Sequence, residues 1–159
     1  MAILTKSGRI VIAESIAARP IHLAWGTGDG SWLVAPNESS DASGLIAEVG
    51  RRIASDVGFV TPDPTGDIIL PTGTYKRSAT PTNHLFVVTN FDFADGGSSV
   101  IREVAIFAGS TIVSGLPAGQ KYFTPNQIST PGRLLHLENL APIFRSPAIR
   151  ENFEQVITF

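Results

Sequence analysis

The sequence predicts an α+β fold, mainly β: an antiparallel sheet or sandwich with one principal helix at about 41–57 and an extended C-terminal segment. Three observations carry this. Short β-branched and aromatic runs recur along the chain, separated by clusters of Gly, Pro, Ser and Thr. Only one stretch spaces its apolar residues as a helix does. From residue 116 the chain turns Pro- and Gly-rich yet stays apolar. Its 159 residues suit one ordinary domain with a real core. Residues 1–115 are expected to form a β-rich domain. Residues 116–159 would then complete that domain or form an arm reaching a neighbouring subunit.

Taken in order, GRIVIAESI (8–16) reads as a short strand, although Ile12, Glu14 and Ile16 do not alternate cleanly with their neighbours. PIHLAW (20–25) reads as a second strand, with Ile21, Leu23 and Trp25 on one face and His22 and Ala24 on the other. In SSDASGLIAEVGRRIASDVGF, Ile46, Val49, Ile53 and Val57 share a helical face. Ser40 or Asp41 would cap that helix, Glu48 and Arg52 would pair four residues apart, and Gly58 would end it. Gly50 weakens the helix and suggests that another backbone approaches there. HLFVVTNFDF (84–93) and VIREVAIFAG (100–109) read as strands, joined by the flexible ADGGSS and expected to pair antiparallel. LLHLENL (134–140) and FEQVITF (153–159) read as strands in the C-terminal segment.

Composition excludes several functions. There is no cysteine, so disulfides, thiolate metal sites and cysteine nucleophiles are ruled out. The net charge of −2 at pH 7 gives no basic footprint for nucleic acid. No apolar segment is long enough to cross a bilayer, and the N-terminus lacks a signal-peptide core. Neither a nucleic-acid nor a membrane partner is expected.

The motifs argue against chemistry. The stretch IHLAWGTGDGSW (21–32) holds Gly26, Gly28 and Gly30 around Asp29. It lacks the Lys of a phosphate-binding Walker loop, and a helix does not follow directly, as a dinucleotide fingerprint requires. Asp29 alone offers too few oxygens for calcium. A turn is the better reading. His22, His84 and His136 lie far apart, with no metal-ligand spacing, and no nucleophile elbow occurs. No cofactor, metal or catalytic residue is expected. Arg102 and Glu103 are adjacent charges inside an apolar strand, so they point to opposite faces. One must face inward and find a partner, with Arg51, Arg52 or Asp92 as candidates, unless the strand is a charged edge.

The order of these pieces resembles the tail-collar fibre N-terminal module of contractile-tailed bacteriophages, which attaches fibres to the baseplate. The residues that carry the resemblance are Gly28, Asp29 and Gly30 in the loop, Leu45, Glu48, Arg51 and Arg52 in LIAEVGRR, and Ile101, Arg102, Glu103 and Phe107 in IREVAIF. It spans residues 8 to 115. That module heads a long fibre chain, whereas this sequence ends at Phe159 and its last forty residues have no counterpart there. The resemblance therefore implies a stand-alone structural protein of the tail or baseplate. Such a protein would be made in the host bacterial cytoplasm and would act in the virion as a homo-oligomer. Its partners would be other tail or baseplate proteins and tail-fibre proteins. Phe144, Phe153, Ile157 and Phe159 then mark a possible assembly segment, and removing residues 145 to 159 should abolish incorporation. Two alternatives remain open: a carbohydrate-binding module using Trp25, Trp32 and Tyr75, and a small hydrolase or metal enzyme using His84 or His136.

Overall fold

The structure, a computed structural model, describes residues 1–159. It is mainly β with one α-helix, as the fold class predicts, but the helix lies elsewhere in the chain. Two compact units are woven from alternating stretches: Met1–Arg19, Ala54–Thr89 and Asn152–Phe159 form one, and Pro20–Ile53 with Asn90–Glu151 form the other.

The helix α1 is Lys6–Ala17, where a strand was expected. The Thr5 side chain caps it by accepting the Gly8 N–H at 3.1 Å. Ala13 is buried, and Ile10, Ile16 and Ala17 are half-buried. These positions are three or four apart, a helical face that the β-branched composition hid.

The expected helix at 41–57 is absent. In its place are two strands, β2 (Glu48–Ile53) and β3 (Asp56–Pro62). A side chain at Gly50 would meet the Tyr122 hydroxyl and the Phe123 carbonyl, so the glycine marks a close approach in a sheet. Gly58 lies inside β3 and ends nothing.

In the unit containing Pro20–Ile53, β1 (Ile21–Gly26) lies between β2 and β7 (Val100–Ala108), antiparallel to both. Outside them lie β11 (Arg133–Phe144), which pairs with β7, and the short β9 (Tyr122–Phe123), which pairs with β2. A ribbon of β8 (Thr111–Ile112) and β10 (Ile128–Thr130) stands apart from this sheet. Both faces of β1 are covered, so all six of its residues are buried. On one face Ala24, Ala105 and Phe107 pack with Leu45, Leu134 and Leu137. On the other, Trp25 stacks on Phe91 at 3.6 Å between ring centroids.

The other unit carries the sheet β12-β6-β3-β5-β4, with β4 at Ile68–Leu70, β5 at Gly73–Ser78, β6 at His84–Phe91 and β12 at Glu151–Thr158. Its core is Val60, Tyr75 and Phe86, packed by Ile68, Leu70, Val88 and Val156. The strands predicted at 84–93 and 100–109 therefore exist but do not pair with each other. β6 pairs with β3 and β12, whereas β7 pairs with β1 and β11. The C-terminal strands β11 and β12 each lie in one of the chain's own sheets.

Candidate functional site

Of the residues singled out in the sequence, Gly28, Asp29, Gly30, Arg102 and Glu103 meet at the loop that leaves β1. Glu103 on β7 faces Gly26 across the sheet and is 1% exposed. Its Oε1 accepts the N–H groups of Gly28 at 3.2 Å and Ala47 at 2.9 Å, and its Oε2 accepts that of Ile46 at 3.0 Å. The partners of this buried carboxylate are thus three backbone amides, and not Arg51, Arg52 or Asp92. A charged edge is ruled out too, because β7 is an interior strand. The Thr27 N–H donates to the Ala47 carbonyl at 2.9 Å. One carboxylate and one backbone bond therefore clasp both ends of the 27–47 loop.

Only glycine suits the entry to this loop. A Cβ at Gly26 would run into the Glu103 carboxylate, and Gly28 has φ +57° with the Trp32 ring packed against it. Arg102 points to the other side of β7 and donates to the Thr27 carbonyl at 3.3 Å. Asp29 accepts the Ser31 N–H at 2.8 Å. That bond and the Ser31 hydroxyl hold its carboxyl below the usual range. Gly30 has nothing packed against it. The middle of the loop is tied to β11: Asn139 donates its side-chain amide to the Pro36 carbonyl and its backbone N–H to Glu38. The latter bond lowers the pKa of Glu38. The glycine loop is thus a turn, and the Gly28 amide within it is already taken by Glu103.

Arg51 and Arg52, both expected on the helix, leave β2 in opposite directions because they are neighbours in a strand. Arg51 is buried and forms a bidentate pair with Glu48 at 2.7 and 2.8 Å. Positions three apart in a strand normally oppose each other. A bulge brings these two together: Trp25 faces Gly50 but Gly26 faces Glu48, which leaves Val49 unpaired. Arg51 also donates to the Ser110 hydroxyl and the Pro131 carbonyl, and its guanidinium lies 4.1 Å from the Phe107 ring centroid. Arg52 pairs with Asp95 at 2.5 Å. The expected Glu48–Arg52 pair is replaced by these two.

Sequence reasoning missed Arg145. It is buried and donates to the carbonyls of Asp92, Phe93, Asp95, Ser146 and Ile149, so one guanidinium holds two turns. It also missed Tyr122, whose hydroxyl accepts the Trp25 indole N–H at 3.2 Å. Neither residue has a clear local sequence signal: Tyr122 meets Trp25 far along the chain, and Arg145 joins the turn that follows it to carbonyls of a distant turn.

The histidines are dispersed. His22 is buried beside Phe123, and burial and the charge of Arg51 lower its pKa to about 4. His84 Nδ1 lies 2.9 Å from the Thr158 hydroxyl. His136 borders a shallow groove of about 280 Å³ with Glu38, Ser39 and Ser40. No group of three or more His, Asp or Glu side chains is gathered for a metal ion. Of the proposed sugar-binding aromatics, Trp25 and Tyr75 are buried and Trp32 lies against Gly28. In the C-terminal segment Phe144 is 76% exposed, Phe153 and Phe159 are half-buried, and Ile157 is buried.

The arrangement is a scaffold: buried charges hold long loops whose apolar tips, such as Leu33 and Val34, stay in water. No curated protein matches the chain. The family described as "Baseplate wedge 3 tail fiber network component" matches residues 1–159, and the chain therefore belongs to this family of phage baseplate components.

Proposed function

We propose that this baseplate component is a non-catalytic anchor that holds tail-fibre proteins to the baseplate by assembling with them and with copies of itself. The observation that supports this most is the 27–47 loop. Glu103 fixes both its ends, while Leu33 and Val34 are 93% and 80% exposed. A long loop held rigidly with apolar residues in water is built for contact, because a contact that needs no ordering step keeps more of its binding energy. Phe144, at the end of β11, adds a second exposed apolar contact.

The test is a phage lacking this chain, complemented by the wild type or by Phe144→Asp, with particles imaged by electron microscopy. Complete baseplates without fibres in the uncomplemented phage, and fewer fibres with Phe144→Asp, are expected. Fully fibred particles in the absence of the chain would sink the anchoring role. Removing residues 145 to 159 is a poorer test, since Arg145 and β12 belong to the fold itself.

A further inference from the structure

Two exposed apolar surfaces of this chain carry opposite charge. The first is α1 with the residues before it. Met1, Ile3, Leu4, Val11 and Ile12 are exposed there, while Ala13 is buried on the inner side. Leu4 lies against Gly8, and Val11 follows one turn later, so an uncharged stripe runs along the outer face. Lys6, Arg9 and Arg19 outnumber Glu14 in this region. The second is the 27–47 loop with Leu33, Val34 and Ile46 exposed. It carries Asp29, Glu38 and Asp41 and no Lys or Arg at all.

We propose that the acidic, apolar 27–47 loop of one copy docks on the basic, apolar α1 surface of a second copy. Such a contact buries exposed apolar residues on both sides and places opposite charges together. The alternative self-contacts, loop on loop or helix on helix, would bring like charges together. The junction is therefore heterologous, head to tail, and it closes into a ring wherever the rotation between copies allows. Glu103 holds the loop ends in place before docking, which limits the ordering cost of association. The hydrogen bonds that lower the pKa of Asp29 and Glu38 keep both carboxylates charged into mildly acid conditions. This inference rests on the homo-oligomer part of the proposed function.

The experiment is analytical ultracentrifugation of the full chain over a range of concentrations and salt. One variant carries Leu33→Asp and Val34→Asp, and the other carries Ile3→Asp and Val11→Asp. All four positions are exposed, and circular dichroism checks that each variant is folded. Each variant alone should associate at least about tenfold more weakly than the wild type. Mixed in equal amounts, the two should form a dimer and nothing larger, because the intact helix of one meets the intact loop of the other. Wild-type association should also weaken with added salt. A monomeric wild type at every concentration would overturn both this contact and the homo-oligomer reading. A wild-type oligomer that either variant leaves unchanged, or a mixture that restores no dimer, would overturn this contact alone and leave homo-oligomerisation standing.

Discussion

The two compact units hold themselves together differently. The unit built on β1 and β7 buries Arg51, Glu103, Asp95 and Arg145. The unit built on β3, β5 and β6 has an apolar core of Val60, Tyr75 and Phe86, and its ion pair, Arg77 with Asp56, is about half exposed. The difference follows the loops. In the first unit the long 27–47 loop and the turns near 92–97 and 146–149 have backbone groups that no strand pairs. Buried charges with several hydrogen bonds satisfy those groups and fix the loops in place. In the second unit the connections are shorter, and the side chains of Asp63, Ser78 and Thr82 bond their backbone groups without a buried charge.

Removing Glu103 should break this contrast most severely. Glu103→Ala leaves three backbone amides without their acceptor and a cavity in its buried place, and a loss of about 3–5 kcal/mol in urea unfolding is expected. Glu103→Gln should cost less. Its oxygen can still accept from Gly28 and Ala47, but its NH₂ would face the Ile46 N–H. A loss below about 1 kcal/mol for Glu103→Ala would mean that the loop does not depend on this anchor.

Next in size is a pH effect at His22. Its folded pKa of about 4 lies below the ordinary 6.5. The unfolded chain therefore binds a proton first as pH falls. The stability due to neutral His22 is complete above pH 6.5 and is lost between about 6.5 and 4, for a total of about 3 kcal/mol. Stability measured at intervals across that range should fall in the wild type and fall less in His22→Gln. Parallel curves would show that His22 does not carry the effect.

The smallest effect sharpens the comparison from the other side. Arg77→Ala removes the exposed pair with Asp56 and a guanidinium 4.5 Å from the Phe86 ring centroid. A change below about 1 kcal/mol is expected, because solvent screens such pairs. A loss as large as that of Glu103→Ala would erase the distinction between the units.

Where strands are long and alternate, local residues were informative. β6, β7, β11 and β12 are all visible in the sequence, and Leu85, Val87, Thr89 and Phe91 share a buried face as the alternation requires. The stretch at 41–57 misled because Ile46, Val49, Ile53 and Val57 satisfy helical spacing, while EVGRRI is short enough to fit either pattern. Pairing with β1 and the approach of Tyr122 to Gly50 decided for a strand. At 6–17 the reverse happened, since β-branched residues suggested a strand while a Thr5 cap and three-to-four spacing made a helix.

By itself the sequence determined the mainly β class, the glycine turn after β1 and the need for an inward charge at Arg102–Glu103. Those follow from neighbours along the chain: alternation, glycine's backbone freedom, and the cost of burying a charge. Only the tertiary structure decided which groups answer that charge, why Arg51 and Arg52 part company, and that Arg145 holds two turns. Apart from Glu48 beside Arg51 and the turn that follows Arg145, their partners lie dozens of residues away, and which distant strands meet depends on the packing of the whole sheet, which no local pattern encodes.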